Sequence, residues 1–493
     1  MRYDGLLTKA VSMLLLAVAV PAIAHAQAPA GVDAVLRGQL FDARQGVLIP
    51  EGVVVMSGQR IQCAGAAKTC QWPSTARVHD YGKAVMLPGL IDLHVHARPH
   101  YVGTFLPSGV TTIRDANNTL QMVNTMRTQP GAARVLASGP ALDSAKSQLA
   151  AGGMADTPEL DTRMPLMAET PEQAREAINA LADAGVEWIK LYSQIPLPAL
   201  QAAVAAGKER QLPVMADFGA GLNRQPTGPG VDALQAAEAG LATLEHLSGV
   251  ALAYRRLGGD PLAETLDEAL LDQIVSRMAA TDMAVVPTLA LYMQFDAFDR
   301  LPPDTLPGAA MTMRYFDDMW TYQERSLGDE ASGQRAAAEL RLVQALLPKL
   351  RKAGVAIGAG SDLPAAPRML PGGAIHQELE ALVLAGFTPA QALQAATHVA
   401  GNILRRDDLG RLEAGALADV LVVDGNPLEQ ITDTRKVAAV WFQGNAVNLD
   451  AAWAHAKDAL DAFETEWNKS PAAAAVKAEL AEWRKAQEAA KTK

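Results

Sequence analysis

One pattern constrains this chain more than any other. Between Met86 and Asp362, short apolar runs keep alternating with Ala/Leu/Glu-rich stretches of helical character. The apolar runs are MLPGLIDLHVHA, GVTTIRDA, ARVLASGPAL, VEWIKLY, LPVMADFG, LATLEHLS, MAVVPTLAL and VAIGAGSD, and segments such as PEQAREAINALADAG and DALQAAEAG lie between several of them. Strands alternating with helices are the mark of βα units around a parallel sheet. Eight such strands in series predict an α/β protein built on a (β/α)8 TIM-like barrel, placed here over residues 87–410.

The 493 residues exceed what one core usually organises, about 250–300 residues, so appended pieces are expected. Residues 32–86 read as short strands broken by turns, with VVVMSGQRIQCAG resembling a hairpin around Ser57-Gly58. The same texture returns at 411–448 in ALADVLVVDGNPL and VAAVWFQGNAV, so the two ends are expected to pair into one small β-sandwich domain. Residues 451–493 are rich in Ala, Glu and Lys, with Trp453, Phe463 and Trp467 at helical spacings, and read as a C-terminal helical extension that covers the barrel or meets a second subunit. A homo-oligomer is left open.

The chain begins with Arg2 and Lys9, an apolar run from Val11 to Val20, and Ala24-His25-Ala26, the small-x-small pattern of a cleavage site. The run is about half the roughly 20 residues a membrane span needs, so residues 1–26 read as a signal peptide and the mature protein as periplasmic or secreted, with no membrane attachment after cleavage. Cys63 and Cys70 are the only cysteines. In an oxidising compartment such a pair more often forms a disulfide than binds metal. A net charge of -11 with no local Lys/Arg cluster argues against nucleic acid and leaves a small-molecule substrate as the expected partner.

His94 and His96 end one apolar strand, and period-two alternation points both imidazoles to one face. A His-x-His pair alone has a high chance rate, but barrel active sites form at the C-terminal ends of strands, where this pair falls. In VEWIKLY the same alternation puts Trp188, Lys190 and Tyr192 on one face. A lysine buried there, when neutral, can take up carbon dioxide as a carbamate, an anionic oxygen ligand for metals; standing alone it would read as a snorkelling lysine. His246 and Asp362 end LATLEHLS and VAIGAGSD, and an Asp beside a metal-activated water is a natural general base.

Taken together, PGLIDLHVH, SGVTTIRDA, Lys190, LEHLS, GSD and GRLEAGALADVLVVDGNPLEQI resemble the amidohydrolase superfamily from about Val32 to Val447. HQELEALVLAGFTPAQALQAATHVAGNIL brings the chain nearest to the imidazolonepropionase-like group that includes Xaa-Pro and Xaa-Arg dipeptidases. The resemblance implies two divalent ions, zinc first and manganese second. His94, His96 and Asp362 would hold the buried ion, a carboxylated Lys190 would bridge, and His246 would serve the second ion. It implies cleavage of an amide bond in a dipeptide or N-acyl amino acid by metal-activated hydroxide, with Asp362 moving the proton. A lactone or phosphoester hydrolase is the alternative on the same site.

Two departures stand against that pattern. Asp217 occupies the fifth strand end where the group usually has histidine; aspartate can ligate through oxygen, but its charge leaves a two-ion centre less electrophilic. A working two-ion site is the first reading, with a one-ion site or a weakened, binding-only protein as the others. The loop ASGPALDSAKSQLAAGGMADT lacks the histidine-glycine motif of many relatives. Arg98, His100, Tyr192, Arg224 and His376 are the remaining candidates to hold a substrate carboxylate or carbonyl, whereas His79, His398 and His455 read as ordinary core or surface histidines.

Overall fold

The structure is a computed structural model that describes residues 31–146, 165–219, 230–296, 303–326 and 330–491. The expected signal peptide and Arg224 lie outside the described residues, as does much of the loop after Asp143.

Four strands open the described chain: β1 (Ala34–Asp42), β2 (Val47–Ser57), β3 (Arg60–Ala66) and β4 (Arg77–Pro88). The hairpin between β2 and β3 turns in two residues, with Ser57 paired to Arg60. Gly58 supplies the positive φ, 54°, that the first turn residue requires. Nine short strands follow: β5 (Leu90–Val95), β6 (Val110–Asp115), β7 (Arg134–Ala137), β8 (Leu142–Asp143), β9 (Leu166–Met167), β10 (Ile189–Leu191), β11 (Val214–Ala216), β12 (Thr243–Glu245) and β13 (Ala284–Val286). Then β14 (Val420–Val423), β15 (Val437–Phe442) and β16 (Asn445–Ala446) return to the first four.

The two chain ends combine into one mixed seven-stranded sheet in the order β16-β15-β14-β4-β1-β2-β3, whose β3 edge also bonds back to the segment before β14, with Ile61 donating to Ala416 and Ala418 to Gln59. The ends meet at β4, which continues one hydrogen-bonded ladder by pairing antiparallel with β14 and parallel with β1. Apolar residues from both ends, including Leu36, Met56, Met86, Val420 and Trp441, share one buried cluster on it. Cys63 and Cys70 are disulfide-bonded, and Cys70 packs with Val35, Val53 and Val55 in a separate cluster of that sheet.

The central region is a TIM-barrel-like α/β arrangement carried with this extra sheet. Strands β5-β6-β7 form one parallel group and β10 to β13 another, each paired with its successor. Between the groups, Glu187 and Trp188 donate backbone N–H to Ala137. The expected eighth strand, 355–362, is no regular ladder, yet it lies between β13 and β5: Gly358 donates to Val285, Leu93 to Ala359 and Asp362 to His94. Its glycines permit this close approach, since a Cβ at Gly360 would lie 2.6 Å from Val286 and 2.9 Å from His94.

Helices begin where their sequences direct. Thr170, Asp232 and Thr388 each form a capping box with the glutamine three residues on, and Pro171 and Pro389 start their helices. The C-terminal segment forms two helices, Leu449–Asn468 and Pro471–Lys491. The first packs over the loop after β5, where Phe463 stacks on His100 with ring centroids 3.7 Å apart. No helix among the described residues is long and apolar enough to cross a membrane.

Candidate metal centre

Five segments deliver six polar side chains to one place. His94 belongs to β5, His96 follows it, Lys190 lies in β10, Asp217 and His246 directly follow β11 and β12, and Asp362 closes the eighth run. Asp362 Oδ1 lies 3.2 Å from His96 Nε2 and 3.4 Å from His94 Nε2. Its other oxygen faces His246 Nε2 at 3.8 Å, and His246 Nε2 lies 3.6 Å from Asp217 Oδ2. Lys190 Nζ is 3.5 Å from His94 Nε2 and 5.8 Å from the Tyr192 ring centre. Five of the six side chains are buried, and His96 is the partly open one.

Backbone geometry aims these groups. His246 and Asp362 adopt positive φ, 61° and 58°, a conformation uncommon for non-glycine residues and enriched at functional sites. Asp362 is steadied from its neighbour: Ser361 gives its N–H to Asp92 Oδ1 at 2.9 Å and its O–H to Asp92 Oδ2 at 2.6 Å. Burial pushes the Asp92 carboxyl up to about 7. Burial acts the same way on Asp362, but the nearby positive character of His246, His96 and Lys190 outweighs it and leaves this carboxyl below its ordinary value. His94 is held well below the usual histidine value, by burial first and by Lys190, His246 and His96 next, so it is neutral and able to donate a lone pair.

The donor set suits a divalent cation. His94, His96 and Asp362 place one ligand atom each within 4.8 Å of one another. Asp362 Oδ1 is buried and accepts no hydrogen bond among the described residues, despite its two imidazole neighbours. A buried carboxylate oxygen flanked by two imidazole nitrogens at 3.2 and 3.4 Å is an arrangement that a cation completes.

The other expected contacts are placed differently. Arg98 folds back, with Nη1 donating to His96 O, Ala97 O and Asn118 Oδ1, and so shapes its own loop. His100 turns to Phe463, and burial lowers it to about 4. His376 is buried, with Nδ1 3.0 Å from Thr434 Oγ1 and Nε2 3.0 Å from Ser108 O, so both ring nitrogens are engaged. Tyr192 stays beside Lys190.

Three residues of the site region escaped the sequence reading. Glu245 accepts from His94 Nδ1 at 2.6 Å, Arg114 pairs with Glu245 at 2.8 Å, and Thr288 Oγ1 stands 2.6 Å from His246 Nδ1. Glu245 and Arg114 lie inside the motifs LEHLS and TTIRDA, and two opposite charges inside apolar strands were the available sign that they meet.

With that geometry in view, the comparisons with known proteins are specific. Residues 325–447, which include Asp362, match the model of the Amidohydrolase family. Over that stretch the chain is similar to the Amidohydrolase family. Over 404 residues the chain is 26% identical to an imidazolonepropionase of Cereibacter sphaeroides, covering 76% of this chain and 89% of that protein. A Xaa-Pro dipeptidase crystallised with methionine in its active site is 19% identical, with a TM-score of 0.61 over 84% of this chain and 99% of that one. The A. niger ochratoxinase is also 19% identical, with a TM-score of 0.62 over 84% of this chain and 96% of that one. The two solved structures speak for the fold.

Proposed function

We propose that this chain is an exported, metal-dependent amidohydrolase that cleaves the amide bond of a dipeptide or N-acyl amino acid. Hydrolysis of a carbon–nitrogen bond is the activity class that the family match and the relatives support. The observation that carries the metal-dependent reading is the gathering of His94, His96, Lys190, Asp217, His246 and Asp362 around the buried Oδ1 of Asp362.

His94, His96 and Asp362 would hold one divalent ion, and His246 with Asp217 a second, zinc or manganese being suited to imidazole and carboxylate donors. An ion bound there supplies Lewis acidity for a carbonyl oxygen and makes water more acidic. Asp362 would take a proton from the attacking water and return it to the leaving nitrogen. Lys190 is buried and has no acidic ion-pair partner among the described residues. Its amine adding to carbon dioxide, with one C–N bond formed and one proton released, would give a carbamate, an anionic oxygen ligand beside the same cluster. Asp217 has one oxygen held by the Gly219 N–H at 2.7 Å and the other turned to His246, as a ligand's carboxylate would be.

The test is a panel of dipeptides and N-acyl amino acids offered to chelator-stripped protein before and after zinc or manganese is restored. Turnover that appears only with metal, near two equivalents bound, is the expected result. Metal-free protein that hydrolyses the panel equally well, or reconstituted protein inert on all of it, rejects the reading; the second result favours a binding-only protein with Asp217 as the reason. Export is checked on the same material by intact mass, which should place the mature N-terminus at Gln27.

A further inference from the structure

We propose that Glu245, backed by Arg114, is a positioning residue for the cation site: its carboxylate fixes the His94 ring with Nδ1 protonated, so that Nε2 is presented as a donor toward His96 and Asp362. This rests on the metal-dependent reading above and adds the device that makes one ligand rigid.

The geometry closes around that imidazole from below. His94, Glu245 and Arg114 are all fully buried. His94 Nδ1 lies 2.6 Å from Glu245 Oε2, and a carboxylate oxygen can only accept, so the shared proton sits on Nδ1 and the lone pair of the neutral ring is left on Nε2. Glu245 has no freedom to turn away. Arg114 Nη2 donates to both of its oxygens, at 2.8 and 2.9 Å, and Thr243 Oγ1 donates to Oε1 at 2.5 Å. Arg114 is fixed in turn, through Nε to Leu93 O at 2.5 Å, Nη1 to Thr243 Oγ1 at 3.0 Å, and its guanidinium 4.4 Å above the Trp188 ring.

A buried ion pair is weak support for stability on its own, because desolvation offsets the attraction. That makes a purely structural role for Arg114 and Glu245 a poor account of two charges set against a ligand. The comparison with His246 sharpens the point. Its Nδ1 partner is the hydroxyl of Thr288 at 2.6 Å, which can donate or accept and so dictates no tautomer. Only the carboxylate imposes one on His94. Partners of this kind, behind a ligating histidine, typically change metal affinity by about 10- to 100-fold when removed.

The experiment measures zinc affinity of the full-length protein by competition with a chelating dye, together with the ring nitrogen NMR signals of His94. Arg114→Met/Glu245→Leu removes both charges at similar volume, so no charge is left stranded and the fold is kept. The expected result is zinc bound about 10- to 100-fold more weakly, with loss of the Nδ1–H tautomer and an unchanged melting temperature. Glu245→Gln, whose amide oxygen can still accept from Nδ1, should lose less and keep the Nδ1–H tautomer; if the double variant does not fold, a Glu245→Gln protein that loses this tautomer yet binds zinc as tightly as wild type overturns the inference. Zinc bound as tightly in the double variant as in wild type, or Glu245→Gln losing as much as the double variant, overturns the inference alone. Wild-type protein that retains no zinc overturns the functional reading and this inference with it.

Discussion

Asp362 shows how much one side chain can decide. It ends a glycine-bearing run, takes a left-handed backbone conformation, and directs one oxygen to His94 and His96 and the other to His246. Asp362→Asn keeps the shape of the side chain and removes the proton acceptor, so hydrolysis should fall by about 10²- to 10⁴-fold while the metal content measured by elemental analysis stays largely intact. Wild-type kcat/KM in that variant would refute the proton-transfer role. His94, His96, Lys190, His246 and Asp362 were legible because each sits at the end of an apolar run, where side-chain alternation and strand direction are readable from sequence. Glu245, Arg114 and Thr288 were not, because their significance lies in contacts across strands: the Arg114–Glu245 bond joins residues 131 positions apart. The surroundings of His376 were hidden for the converse reason. A histidine near a loop looks available in sequence, and only packing shows both nitrogens taken.

Elements join the site to the rest of the chain, and the helix Ala374–Leu384 does so most completely. Its residues from Ala374 to Leu382 are all buried. From it Glu378 accepts the N–H of Ala290 at 2.7 Å, Glu380 pairs with Arg435, and His376 bridges to Ser108 and Thr434. Burial lowers His376 to about 4 from an ordinary 6.5. Unfolded chain therefore takes up that proton first as pH falls, and stability that is complete above about 6.5 is lost progressively down to about 4, a contribution on the order of 3 kcal/mol. Asp92 and Asp115, raised by burial to about 7 and about 6, act in the opposite sense, losing stability as pH rises. They are common to wild type and variant, so they cancel in a comparison. Melting temperatures followed from pH 7 to pH 4.5 should fall less steeply in His376→Gln than in wild type; parallel curves would reject the assignment of this dependence to His376.

At the scale of the whole molecule, the two chain ends are tied into one sheet beside the barrel-like region, and the C-terminal helices lie over the loop that follows β5. Arg134 secures the junction through Asp419 at 2.8 Å while its guanidinium lies 5.3 Å from the Phe442 ring centre. The disulfide closes a short stretch, seven positions apart, within the sheet. By loop-closure entropy it should contribute about 2–3 kcal/mol. Reduction, or a Cys63→Ala/Cys70→Ala variant, is expected to lower the melting temperature of the sheet while the far-ultraviolet spectrum and zinc binding of the centre persist. Loss of zinc binding on reduction would show that the sheet and the centre are not independent in this way.

The amino-acid sequence by itself determined the alternation of strands and helices, the pairing of the chain ends, the cysteine pair, and the ligand types waiting at strand ends, because these follow from local periodicity and from the chemistry of single residues. Tertiary structure alone decided that the ends make one continuous sheet, that the eighth run bridges its neighbours without a regular ladder, and that His94 is backed by Glu245 and Arg114. Those outcomes depend on which strand lies beside which and on how closely backbones approach. Such distances are set by packing between residues far apart in the chain, and no local pattern encodes them.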